Sequence, residues 1–289
     1  MKKQEFAELI EKGVVILDGA MGTNMMLRGM PKGVCTEQWI LEHPEELLEL
    51  QRAYVAAGTQ ILYAPTFGGN GLRMKSFGLG EKTEQYNKEL VTLTKQAAAG
   101  KCLVAGDVGP TNEPEQDYDT LYGVYMEQMK SLVDAGVDLL VIETMYNMEE
   151  SMAAIDAAHA VGDLPVICSM TVEADGSLPL GGNLYESAAA FEAMGVDAVG
   201  VNCSLGPDQL EAVVRSLHET VQIPLIIKPN AGVPFINDKG DAVYSMEPQQ
   251  FATHMLKLIE AGASLVGGCC GTTPDYIRAL KEKISEYGR

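Results

Sequence analysis

A chain of 289 residues with 46% hydrophobic side chains can fill a sizeable core, and its length suits one β/α barrel of roughly 250 residues. Its 40 acidic against 21 basic residues give a formal net charge of -19, which repels phosphate backbones and argues against nucleic acid as a partner. No run reaches the roughly 20 apolar residues of a membrane span. The polar start Met1–Lys12 has no apolar core of a signal peptide, so a cytoplasmic location is expected. The six cysteines (Cys35, Cys102, Cys168, Cys203, Cys269, Cys270) then read as reduced thiols or metal ligands rather than a disulfide framework.

Eight short apolar runs follow one another along the chain: Val14–Leu17, Ile61–Ala64, Cys102–Ala105, Leu139–Ile142, Pro165–Cys168, Ala198–Val201, Leu225–Ile227 and Leu265–Val266. Their near-continuous apolar character fits strands buried on both faces of a parallel sheet. Amphipathic stretches separate them, such as Tyr118, Leu121, Tyr122, Tyr125 and Met129 at three- and four-residue spacing. Pro44, Pro248 and the pair Thr273-Pro274 read as helix starts. The alternation predicts an α/β fold, a single (β/α)8 TIM barrel spanning 1–289, with an open doubly wound sheet as the other possibility. Gly58, Gly136, Gly195 and Gly262 each end a helical stretch and precede the second, fourth, sixth and eighth runs, where a left-handed residue closes a helix. Reading those four strands to their ends gives Thr66, Glu143, Cys203 and Cys269 at equivalent depth. In a barrel such ends meet at the C-terminal face, where active sites lie. The long segments Gly68–Gly80, Thr111–Asp117, Thr171–Asn183 and Asn230–Asp241 would be loops on that face.

The strongest local motif is Gly267-Gly268-Cys269-Cys270-Gly271-Thr272, joined by Cys203 in Gly200-Val201-Asn202-Cys203-Ser204. Neighbouring cysteines on a regular strand point to opposite faces, so both reach one ion only where the chain leaves the strand, as the glycines permit. Three thiolates with an open fourth corner describe a catalytic zinc site, in which a bound substrate thiol loses its proton and attacks an electrophilic methyl carbon. The same cysteines also read as small buried hydrophobes. Cys102 and Cys168 read as core, and Cys35 has no evident partner. The first strand ends in Leu17-Asp18-Gly19-Ala20-Met21-Gly22-Thr23, which is either a turn capped by Asp18 or a cradle whose backbone N–H groups receive a small carboxylate. Glu143 closes a very apolar strand and needs a cation, either a substrate ammonium or an internal Arg or Lys.

These motifs (LDGAMGT at Leu17–Thr23, PTFG at Pro65–Gly68, GVNCS at Gly200–Ser204, PNAG at Pro229–Gly232, GGCCGT at Gly267–Thr272) resemble the homocysteine-binding domain family. That family includes homocysteine S-methyltransferases and the N-terminal module of cobalamin-dependent methionine synthase. The resemblance implies one Zn2+ on Cys203, Cys269 and Cys270, with the homocysteine sulfur completing the tetrahedron. It implies that Asn230 covers the metal when substrate is absent, and that Asp18, Gly19, Thr66 and Glu143 hold the amino-acid end of homocysteine. Relatives often carry Thr-Asn-Thr-Phe where this chain has Ala64-Pro65-Thr66-Phe67, which removes a polar side chain. The chain ends at Arg289, just after the last helical stretch, so a methylcorrinoid donor is expected only in trans, on a separate protein. His159 reads as an ordinary helix residue rather than a cobalamin ligand. Methyl transfer to homocysteine to give methionine is the expected reaction. Betaine or S-methylmethionine are the other donors, and a non-catalytic zinc- or thiol-binding subunit is the reading from another class.

Overall fold

The computed structural model describes residues 1–289 apart from Pro114, Ser204, 238–241 and Arg289. Eight strands run parallel in the order first, eighth, seventh, sixth, fifth, fourth, third, second. They are Val15–Ile16, Ile61–Tyr63, Leu103–Val108, Leu139–Met145, Val166–Met170, Ala198–Asn202, Leu225–Lys228 and Ala263–Val266. A parallel bridge between Leu17 and Ile61 joins the two ends of this sheet, so the strands close into a (β/α)8 barrel rather than an open sheet. The seam is narrow. Gln60 reinforces it, donating its N–H to the Ile16 carbonyl at 2.7 Å and accepting the Ile16 N–H on its side-chain oxygen at 2.8 Å.

The strands divide their side chains between two cores, as period-two alternation requires. Val15, Ile61, Ala105, Val141, Ile167, Ala198, Ile226 and Leu265 fill the lumen. Phe6, on the N-terminal helix Lys3–Glu11, packs into the same cluster. Ile16, Leu62, Val104, Ile142, Val199 and Ile227 belong to the layer between strands and helices, which also buries Cys168. Gly200 is required where two strands approach closely, because a Cβ there would fall 1.8 Å from the Ile226 carbonyl oxygen.

The four glycines before the even-numbered strands all have positive φ, from +79° at Gly136 to +124° at Gly262, as helix closure requires. Helices begin at Pro44, Pro248 and Pro274, although the Thr273 hydroxyl makes no capping hydrogen bond. The third strand runs past Ala105 to Val108, and the eighth starts at Ala263, earlier than its apolar run suggests. The segment after the seventh strand carries an antiparallel pair, Phe235–Ile236 with Ala242–Val243, where the sequence suggests an irregular loop; its tip, 238–241, lies outside the described residues. No helix among the described residues is long and apolar enough to cross a membrane.

Candidate metal and substrate site

Two residues above the apolar lumen layer, the inward positions change character. Ala105 is followed by Asp107, Val141 by Glu143 and Ile226 by Lys228, all at the C-terminal ends of their strands. A polar, charged floor therefore lies directly on an apolar plug.

The three sulfurs sit above it. The Sγ atoms of Cys203, Cys269 and Cys270 all lie within 4.8 Å of one another, and Cys203 and Cys270 are 3.9 Å apart. Both segments reach this point by leaving regular structure. The eighth strand ends at Val266, after which Cys269 donates its N–H to the Pro229 carbonyl at 2.7 Å, and the Cys270 carbonyl accepts the Ala231 N–H at 2.9 Å. Cys203 follows the sixth strand with φ +62°, an unusual backbone for a residue with a Cβ. The sulfurs share their protons unequally. Hydrogen bonds from Cys203 and Cys269, joined by Tyr244, draw the Cys270 thiol down to about 3, while the same contacts push Cys269 up. Three sulfurs gathered this closely can share one cation.

Below the sulfurs lies Lys228, which the sequence reading passed over. It is 3% exposed, its Nζ lies 2.9 Å from Asp18 Oδ1, and it stands 3.6 Å from the centroid of the Tyr63 ring. Asp18, 1% exposed, receives the Tyr63 N–H on Oδ2 at 2.8 Å. Burial raises the Asp18 carboxyl and Lys228 opposes that rise; Asp18, Tyr63 and Glu143 together hold the Lys228 ammonium protonated. A charged pair is the state this geometry supports. Asp18 is thus more than a turn cap, but both its oxygens are engaged within the protein.

Glu143 is 8% exposed and its Oε2 meets no hydrogen-bond donor. Burial lifts its carboxyl to about 6, against the pull of Lys228. Asp107, 7% exposed, also has an oxygen, Oδ1, without a donor; burial first, and the charge of Glu143 second, hold its carboxyl well above the usual range. A cavity of about 300 Å3 is lined by Asp107 and Glu143 together with Cys203, Cys269, Cys270 and Arg73. A smaller lobe of about 50 Å3 lies among Asp18, Gly19, Tyr63, Asp107, Glu143 and Lys228.

The remaining candidates divide. Gly19 lines the small lobe, and a Cβ there would fall 2.7 Å from both the Tyr54 and Thr272 hydroxyls, so the close approach requires glycine. Asn230 is buried beside the Cys269 and Cys270 segment, and its Oδ1 has no hydrogen-bond partner. Thr66 is fully buried, with its hydroxyl committed to the third strand: it donates to the Asp107 carbonyl at 2.8 Å and accepts the Asp107 N–H at 3.1 Å. Pro65 lines both cavities in its place. Cys35 is far from solvent and donates to Glu37 Oε2 at 3.3 Å. His159 lies on the helix Met148–Val161. Ser204 lies outside the described residues.

The homocysteine S-methyltransferase family model matches residues 15–284, from the first strand into the last helix. The chain belongs to the homocysteine S-methyltransferase family. Among curated relatives, the methionine synthase of Mycobacterium leprae is 30% identical over 97% of this chain and 25% of its own length; that of Mycobacterium tuberculosis is 29% identical over 99% and 26%. The chain thus spans about a quarter of the length of these relatives. Among solved structures, the metallated form of the homocysteine methyltransferase MmuM from Escherichia coli superposes with a TM-score of 0.84 at 27% identity, covering 96% of this chain and 98% of that one. The apo form of the same protein gives 0.75.

Within this methyltransferase family, the residues missed by sequence reading, Lys228 and Asp107, had an available signal. Each stands two positions beyond an inward apolar residue of its strand, on the face that also carries Glu143. Extending the alternation one step past the third and seventh apolar runs finds both.

Proposed function

We propose that this protein is a zinc-dependent S-methyltransferase that methylates homocysteine to methionine, its residues 1–289 acting as one homocysteine-binding barrel. The sulfur spacing carries the reading. Bonds of about 2.3 Å to a tetrahedral zinc set its corners roughly 3.8 Å apart. The Cys203–Cys270 separation of 3.9 Å fits that figure, with Cys269 inside the same cluster. Cys203, Cys269 and Cys270 would hold the ion, and no fourth His, Cys, Asp or Glu joins them among the described residues. When bound, zinc would keep the incoming thiol ionised and nucleophilic at neutral pH.

The chain's own groups do the remaining work. Glu143 offers a buried, donorless carboxylate oxygen to the substrate ammonium, which answers its need for a cation better than Lys228, already given to Asp18. Gly19 lets backbone come close to the amino-acid end of the substrate. Asn230 has an uncommitted amide oxygen on the segment whose backbone bonds to Cys269 and Cys270, suited to covering the metal before the thiol arrives. Thr66 acts indirectly, by fixing the strand that carries Asp107. Holding the thiol and excluding water at the barrel mouth leaves one direction of approach for the methyl carbon. We assign the donor as a methylcorrinoid, the class of donor that likeness to the methionine synthases favours. We also propose a cytoplasmic location, a compartment that keeps such cysteines reduced.

The test is methionine formation from homocysteine by the zinc-loaded protein, with methylcobalamin, betaine and S-methylmethionine supplied in turn. Turnover with methylcobalamin alone is expected. Turnover only with a small donor would replace the corrinoid assignment, and binding of homocysteine without product from any donor would favour a non-catalytic subunit.

A further inference from the structure

We propose that Asp107 is the second carboxylate of an ammonium-binding pair with Glu143, and that this pair makes the site select an amino-acid thiol over one lacking the amine. The inference rests on the reading of the pocket as a homocysteine site. Asp107 and Glu143 stand on adjacent parallel strands, with Asp107 in register with Val141, so Glu143 is the next inward residue above that partner. Asp107 Oδ1 and Glu143 Oε2 are both buried and both lack a hydrogen-bond donor. Such atoms are costly unless a ligand supplies the missing N–H groups.

Three buried carboxylates, Asp18, Asp107 and Glu143, face one buried cation, Lys228. That cation is used: Asp18 takes it at 2.9 Å and the Tyr63 ring covers it. The charge left over belongs to Asp107 and Glu143, and one ammonium shared between them balances it when one of the two keeps its proton. Asp18 has less to offer an ammonium, since Lys228 already neutralises it and each of its oxygens accepts a hydrogen bond within the protein. The small lobe between these groups has about 50 Å3. On the same measure a single water needs roughly 10–15 Å3, so the lobe accepts a compact polar head and not a chain. Both carboxylates also line the larger cavity with the three cysteines, which lets one molecule place its amine here and its sulfur at the metal. Burial and the charge of Glu143 disfavour the ionised form of Asp107, and an ammonium placed between the two carboxyls would relieve that cost.

The test is calorimetric titration of the zinc-loaded protein with L-homocysteine and with 4-mercaptobutanoate, its analogue without the amine. Charge-assisted hydrogen bonds of this kind are each worth about tenfold or more in affinity, so wild type should prefer homocysteine by about a hundredfold. Asp107→Asn should remove about tenfold of that preference while leaving the affinity for 4-mercaptobutanoate within about twofold. Equal weakening of both thiols would assign Asp107 a merely structural role and overturn the inference, as would full retention of the preference. Should Asp107→Asn fail to fold, Glu143→Gln decides: a residual preference of about tenfold supports Asp107, and complete loss shows Glu143 acting alone. If wild type binds neither thiol, the homocysteine reading itself fails, an outcome distinct from every result above.

Discussion

Lys228 Nζ lies 2.9 Å from Asp18 Oδ1, joining the end of the seventh strand to the end of the first across the barrel mouth. The Tyr63 N–H on Asp18 Oδ2 adds the second strand to the same knot. This is where the barrel most needs a tie, because the first strand is two residues long and meets the second through the Leu17–Ile61 bridge. The pair thus works on two levels, closing the sheet and removing Lys228 from competition for the carboxylates beside it.

Breaking that pair from one side should cost more than removing it whole. Lys228→Met leaves Asp18 buried with a single backbone donor, a loss expected at about 3–5 kcal/mol. The double change Asp18→Asn with Lys228→Met removes the uncompensated charge and should recover most of that loss. Urea midpoints of wild type, both single variants and the double variant form the needed cycle. Equal loss in the single and double variants would show that packing of the lysine stem, not charge, is what matters.

Metal content should follow the sulfur cluster and nothing else. One zinc per chain is expected in wild type and in Cys35→Ala, whose thiol is buried against Glu37 away from the cluster. Cys203→Ala or Cys270→Ala should lose zinc and methyl transfer together, since two remaining thiolates bind the ion far more weakly. Elemental analysis after gel filtration reads this directly. Full zinc in either cysteine variant removes that residue from the ligand set. Chelation of wild type should also lower its melting temperature, because an ion bound only by the folded chain stabilises it.

Glu143 should trade stability for function in a pH-dependent way. Burial raises its carboxyl from the usual 4.5 to about 6. The folded protein therefore binds this proton more tightly than the unfolded chain does. The stability it contributes is fully present below about pH 4.5 and is lost as pH rises through about 6. Glu143→Gln should accordingly be the more stable protein near neutral and alkaline pH, by about 2 kcal/mol, with the advantage fading in acid. Its homocysteine affinity should fall over the same range where its stability gains. Urea midpoints that differ equally at every pH would mean that ionisation of Glu143 is not the cause.

Much of this was legible in the residues, for reasons that differ by element. The strands announced themselves as apolar runs because a barrel buries both faces, and the glycines at 58, 136, 195 and 262 marked their approach because a left-handed backbone admits few other residues. The cysteines stood out through rarity and through the flanking glycines. Lys228 and Asp107 did not, because each follows an apolar run as a single charged residue, the pattern of any strand ending in solvent. Only the closure of the barrel turns those ends inward. The hydroxyl of Thr66 was unreadable for a related reason: whether it faces a ligand or the neighbouring strand depends on a backbone approach that no local pattern encodes. The pair Phe235–Ile236 and Ala242–Val243 is too short and too exposed to show alternation.

Asn202 should prove as important to the site as residues that touch the substrate. Its Oδ1 accepts the Thr144 N–H and the Ser169 hydroxyl, both at 2.8 Å, and its Nδ2 donates to the Thr144 hydroxyl at 2.6 Å. Thr144 has φ +61°, a conformation that costs a β-branched residue about 1–3 kcal/mol and persists only when its surroundings enforce it. Thr144 directly follows Glu143, and Asn202 directly precedes Cys203, so one amide sets the aim of the carboxylate proposed to bind the ammonium and of a sulfur proposed to hold the metal. Asn202→Ala should release Thr144 toward a relaxed backbone and weaken both zinc and homocysteine binding, each by about tenfold or more. Chelator competition measures the first and calorimetry the second. Thr144→Gly in the Asn202→Ala background should not restore either affinity, because glycine removes the strain without restoring the aim. Recovery of both affinities in that double variant would mean that strain relief alone, and not the amide's hold on the turn, explains the loss.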